Sequence, residues 1–162
     1  MFHQVSNRHD IQQLTELARE IWLEHYTPII GVEQVEYMLR TFHSATRVAE
    51  QIETEQYYYY LLQSEGENLG YLGVQRQEQQ LFLSKIYVHS RFRGRGFAKQ
   101  AMNFAKQLAN EFGLQQITLT VNRHNHDSIA AYQKMGFVKV AEQCTDIGQG
   151  YVMDDWVMAL VL

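Results

Sequence analysis

The sequence predicts a mixed α/β (α+β) chain of about seven strands and about four to five helices, and three observations carry that reading. Short runs rich in β-branched and aromatic residues recur along the chain with two-residue alternation. Between them lie stretches whose apolar residues follow the 3.6-residue period of an amphipathic helix. Between Leu81 and Gly96, finally, an apolar strand runs straight into three arginines interleaved with two glycines, followed by another amphipathic helix. No repeat, low-complexity segment or linker interrupts this order, and 162 residues with 46% hydrophobic content suffice for one core, so a single domain over 1–162 is expected.

The first elements read as follows. Phe2 to Val5 forms a short strand. Asp10 with Gln13 has the form of a capping box that opens a helix with Ile11, Leu14, Leu17, Ala18, Ile21 and Trp22 on one side. Pro28 and Gly31 break that helix before a second, Val32 to Arg40, and a third runs over Ala45 to Glu53. Tyr57 to Gln63 and Leu69 to Gln75 are the arms of a hairpin that turns at Gly66 to Asn68, and Gln77 to Gln80 turns into the next strand.

That strand has apolar residues at Leu81 and Leu83, then at Ile86 and Val88, so its phase slips near Ser84 and Lys85 in the way a β-bulge would leave. In the loop after it, Gly94 and Gly96 allow positive φ and close approach of backbone to a ligand. The helix that follows carries Phe97, Ala101, Phe104, Ala105, Leu108 and Phe112 at helical spacing, with Gly113 suited to its C-terminal cap. Unpaired amides at its start, with Arg91, Arg93, Arg95 and Lys99 around them, predict a site for phosphate or pyrophosphate. A P-loop would need G-x-x-x-x-G-K-[ST], which does not occur. A dinucleotide fingerprint would need a third glycine where Lys99 stands, and would lie in the first strand-helix unit.

Further on, Gln116 to Val121 reads as a strand, Asn122 to Asp127 as a polar turn and Ser128 to Met135 as a short helix ended by Gly136-Phe137. Phe137 to Gln143 and Tyr151 to Leu162 complete the strands.

Arg91-Phe92-Arg93-Gly94-Arg95-Gly96 resembles the [QR]-x-x-G-x-[GA] acetyl-coenzyme A signature of the GNAT superfamily of N-acetyltransferases. Asn125-x-x-Ser128-x-x-x-Tyr132-x-Lys134-x-Gly136-Phe137 resembles the second motif of that family, spacing included. The resemblance implies the GNAT fold, a central, mixed, mostly antiparallel twisted sheet flanked by helices, and acetyl-CoA as acetyl donor with no metal. It implies that backbone groups of Ile86, Tyr87 and Val88 pair with the pantetheine arm and that residues from Arg93 through Ala98, with Phe97 among them, hold the pyrophosphate beside Arg91. Asn125, Ser128 and Lys134 belong to the coenzyme site by the same motif, and Tyr132 sits by the sulfur as general acid.

The reaction so implied is attack of an amine on the thioester carbonyl, with a phenol in reach of the departing thiolate and a backbone amide near Val88 for the oxyanion. The base is open: Lys85-Ile86-Tyr87-Val88 offers no carboxylate, and His89, His124, Asp127, Glu24 and Tyr87 all stand as candidates. A polyamine, an amino acid, another small amine and a protein amine are all open as acceptors. The segment Ile21 to Tyr26 and the ending from Asp146 to Met158 resemble the bacterial branch that includes spermidine and spermine acetyltransferases, which points to Trp22, Glu24, Tyr26 and Asp155 as acceptor-site residues. A non-catalytic acyl-CoA binding or sensing protein is the alternative from another class.

Net charge is -4, so the arginine cluster is a local exception, and nucleic-acid binding is not expected. His124-Asn125-His126-Asp127 does not have the form of a catalytic zinc site, since alternate residues on a turn diverge. Cys144 stands alone, which excludes an internal disulfide and suits a reducing compartment. With no apolar signal core in Met1 to Asp10 and no membrane-length apolar run, no membrane role and a cytoplasmic location are expected. Dimers are common in the family and the last strand is apolar on both faces, so a homodimer is an expectation.

Overall fold

Alternation along the strands sends apolar side chains to both faces of one sheet, and helices cover each face. The computed structural model describes residues Met1–Leu162. In chain order the elements are β1 (Phe2–Gln4), α1 (Arg8–Ile30), α2 (Val32–Phe42), α3 (Ala45–Thr54), β2 (Tyr57–Ser64), β3 (Glu67–Arg76) and β4 (Leu81–Val88), then a 3₁₀ turn at Ser90–Phe92, α4 (Phe97–Glu111), β5 (Gln116–Asn122), α5 (His126–Lys134), β6 (Val138–Gly148) and β7 (Tyr151–Val161). The seven strands lie in the order β1-β2-β3-β4-β5-β7-β6. All neighbours are antiparallel except β4 and β5. This is the mixed, mostly antiparallel sheet that the sequence resemblance implies.

One face packs Leu72, Leu81, Leu83, Ile117, Leu119 and Met158 against Met102, Ala105 and Leu108 of α4 and Ile129 of α5. The other packs Tyr59, Leu61 and Tyr71 against Leu14, Ala18, Ile21 and Trp22 of α1, Val35 of α2 and Val48 of α3. Within β2, Tyr59 and Tyr60 therefore serve opposite cores, as the two-residue period requires.

Several boundaries differ from the sequence reading, each for a local reason. α1 begins at Arg8, and its cap is Asn7, whose side chain accepts from the Asp10 amide at 2.8 Å. Asp10 is thus not the cap; its carboxylate instead accepts from the Ser6 amide at 3.1 Å and meets His3 Nε2 at 3.0 Å. Pro28 does not break α1, because in the last turn its missing N–H forfeits a single helical bond; the break comes at Gly31, with φ 87°. α5 starts at His126, since the Asn125 side chain caps it through the Ser128 amide at 3.4 Å. β6 runs on to Gly148 despite its polar sequence, because backbone pairing with β7 carries it at the sheet edge. The hairpin turns at Gln149 and Gly150, with φ 57° and 79°. Cys144 is an exposed thiol on β6.

The expected bulge is present. Gly73 pairs with Lys85 while Val74 pairs with Leu83, which leaves Ser84 without a partner in the ladder.

Candidate active site

β4 and β5 pair only at Leu81↔Ile117 and Phe82↔Thr118; beyond these the two parallel strands separate. The gap opens into a cleft of about 780 Å³ bordered by both strands, α1, α2, α5 and the ends of β6 and β7. Backbone groups of β4 face that gap. His89 donates to Leu69 at 2.8 Å, so the alternation of an antiparallel ladder turns the amides of Ile86 and Val88 away from β3 and toward β5. The Val88 carbonyl on that side accepts from Arg93 Nε at 3.2 Å. On the β3 side the strands are pressed together: a Cβ on Gly70 would stand 2.2 Å from the Tyr87 carbonyl oxygen.

At one end of the cleft the Arg91–Gly96 loop leads into α4. Gly94 and Gly96 take φ 78° and 81°, the left-handed region that their missing side chains permit. Gly96 is the α4 N-cap and brings no side chain to it, so the first amides of the helix have no capping partner. Arg93 and Ala98 line the cleft, whereas Arg91, Gly94, Arg95, Gly96 and Phe97 do not. The Arg91 and Arg95 guanidinium groups lie 5.2 and 5.8 Å from the centre of the Phe92 ring.

Ile86, Tyr87, Val88, Asn125, Ser128 and Tyr132 all line the cleft, and Lys134 does not; it is an exposed residue in the last turn of α5. Tyr132 packs its ring against Phe137 at 5.8 Å between centroids. Burial, with Tyr26 nearby, pushes its phenol well above the ordinary tyrosine value, so it stays protonated at neutral pH.

Of the residues assigned to the acceptor, Trp22, Tyr26 and Asp155 line the cleft and Glu24 does not. Glu24 sits on the exposed side of α1. Trp22 is largely a core residue, 4% exposed, with its indole donating to Tyr71 at 2.8 Å and stacked on His43 at 5.0 Å. Tyr26 and Tyr87 share a hydroxyl–hydroxyl hydrogen bond of 2.7 Å. Asp155 is 3% exposed, and its Oδ1 has no hydrogen-bond partner. Burial, with Asp154 adding to it, raises its carboxyl to about 6.

The base candidates divide similarly. Tyr87 and Asp127 line the cleft; His89, buried beside Glu20 at 3.3 Å, and the exposed His124 do not. No group of three or more His, Cys, Asp or Glu side chains converges as a metal site would require. Two further cleft residues, His25 and Lys85, were not among the site residues expected from the sequence. His25 joins Asn125, its Nε2 3.1 Å from the amide nitrogen; burial first, and then Arg93, hold its imidazole below the ordinary value. Lys85, turned into the cleft just past the bulge, is lowered to about 8 by burial. For Lys85 the phase slip was the available signal; for His25 no local pattern exists.

Similarity to known proteins agrees with this architecture. The PaiA N-acetyltransferase of Thermoplasma acidophilum, solved in complex with coenzyme A, superposes with a TM-score of 0.81 at 18% identity, covering 100% of this chain and 99% of that one. A GNAT-family acetyltransferase of Elizabethkingia anophelis with acetyl-CoA bound gives 0.61 at 14% identity, covering 77% and 88%. In sequence, an uncharacterised N-acetyltransferase from the pepI 3' region of Lactobacillus delbrueckii subsp. lactis is 24% identical over 153 residues, 90% of this chain and 88% of its own length. The fold is thus the one these acetyltransferases share. A model of the acetyltransferase (GNAT) family matches residues 12–137, and the chain belongs to that family. No helix is long and apolar enough to cross a membrane.

Proposed function

We propose that this chain transfers acetyl from acetyl-CoA to a primary amine by direct attack on the thioester, with Tyr132 as general acid. The observation that carries the reading is a protonated phenol, Tyr132, on the wall of a cleft whose other wall is the open backbone of β4. In this account backbone groups of Ile86, Tyr87 and Val88 pair with the pantetheine arm, and uncapped amides at the start of α4 hold the pyrophosphate, with Arg91, Arg93 and Arg95 around it. The coenzyme complexes of the structural relatives support the choice of donor.

Chemistry then assigns the remaining groups. The amine nitrogen bonds to the carbonyl carbon and a backbone amide near Val88 stabilises the oxyanion; the carbon–sulfur bond then breaks as the thiolate takes the Tyr132 proton, and the proton still carried by the new amide nitrogen restores the Tyr132 phenol. Asp155, largely ionised at neutral pH, holds the incoming ammonium and accepts its proton. Tyr26 and Asp155 would serve a polyamine as they would any primary amine, so the polyamine acceptor suggested by the looser subfamily likeness is one member of this class.

The test follows thiol release from acetyl-CoA over a panel of primary amines, with coenzyme binding measured in parallel. Saturable release with an amine supports the reading. Coenzyme binding with no release from any amine contradicts it.

A further inference from the structure

The cleft holds a cation as well as a carboxylate. Lys85 Nζ donates to Ser84 Oγ at 2.7 Å and stands 5.9 Å from the centre of the Trp22 ring. The bulge makes this geometry: with Ser84 out of the ladder, consecutive side chains come together on the cleft wall. Tyr57 borders the same pocket beside Ser84. No carboxylate pairs with Lys85, and burial lowers its proton affinity. The nearby imidazole, His43, is held neutral by its own burial, with Lys85 adding to the effect.

A desolvated ammonium is costly unless something compensates it. Here two hydroxyl-bearing side chains and a lysine converge with no anion of the protein among them. Asp155 lines the same cleft, acts on Tyr26 and forms no ion pair with Lys85. From the helix side the cleft lining includes the apolar Ile30, Met38 and Phe42.

We propose that the acceptor is an amino acid-type molecule whose carboxylate seats against Lys85, Ser84 and Tyr57, whose apolar body lies on Ile30, Met38 and Phe42, and whose amine reaches Asp155. This rests on the transferase reading and narrows its substrate class. A polyamine fits the same pocket poorly, because its second ammonium would be driven toward Lys85.

The experiment compares kcat/KM for methionine, phenylalanine and 5-aminovalerate with their carboxyl-free amines, and with spermidine, in the wild-type protein and in Lys85→Met. Ser84→Ala serves as a second variant should Lys85→Met fail to fold. The carboxylated member of at least one pair should be preferred by about tenfold or more, the scale of one hydrogen-bonded charge pair, and each variant should erode that preference. Calorimetric titration of the same compounds into the coenzyme A complex gives a readout free of turnover, in which Lys85→Met should weaken the carboxylated compounds alone. Carboxylate binding through Lys85 without thiol release from any amine would sustain the anion seat and defeat the transferase reading. Thiol release with no carboxylate preference, or one unchanged in the variants, would defeat the anion seat and leave the transferase standing. Absence of both binding and release would overturn both.

Discussion

His25 Nε2 lies 3.1 Å from Asn125 Nδ2 and ties α1 to the start of α5, although the two residues are 100 positions apart. Asn125 also caps α5 through its Oδ1, so one amide closes two contacts at the cleft that Tyr132 also lines. Replacing His25 by Ala removes one hydrogen bond and is expected to cost about 1 kcal/mol of stability. Asn125→Ala removes the cap as well and should cost about 2 kcal/mol. Chemical denaturation of both variants checks the order; equal losses would mean that the cap contributes nothing.

Asp155 trades stability against function. Folded, it holds its proton to about pH 6, whereas the unfolded side chain ionises near 3.8. Between these values the folded state binds more protons, so stability falls as pH rises through that window, and the deficit persists at neutral pH. Asp155→Asn should therefore raise Tm at pH 7, leave it little changed at pH 3.5, and reduce acetyl transfer. A variant that is less stable than wild type at pH 7 would contradict this account of the carboxylate.

The same residue sets a pH dependence of turnover. Because an ionised Asp155 is needed for the ammonium, kcat/KM should climb as pH rises through about 6, and that limb should vanish in Asp155→Asn. A limb that survives in the variant would assign it to another group.

Gly70 fixes the spacing behind the cleft. Its alanine variant would force Cβ against the Tyr87 carbonyl, so β3 and β4 must part, at an expected cost of about 2–3 kcal/mol. Thermal unfolding measures the cost, and coenzyme affinity should fall with it because β4 carries the Ile86 and Val88 amides. Wild-type stability in this variant would show that the strands yield freely.

Much of the fold was legible because its signals are local. The bulge at Ser84 showed as a phase slip between Leu83 and Ile86, and the left-handed Gly94 and Gly96 showed as glycines before an amphipathic helix. The family motifs gave the rest of the coenzyme wall. Pro28 misled because a proline penalises a helix according to its place in the last turn, which sequence does not display. β6 was cut short at Gln143 because edge-strand pairing leaves no apolar alternation in Cys144 to Gly148. Glu24 and Asp155 looked alike as acidic residues near aromatics; only the packing of α1 and the insertion of β7 between β5 and β6 turn one to the surface and the other into the cleft. The His25–Asn125 contact depends wholly on tertiary structure.

The central claim is that Tyr132 delivers a proton to the departing thiolate, and single-turnover acetyl transfer by Tyr132→Phe tests it most directly. With acetyl-CoA affinity held near the wild-type value, the chemical step should slow by about 10²-fold or more. An unchanged step at unchanged affinity would contradict the assignment.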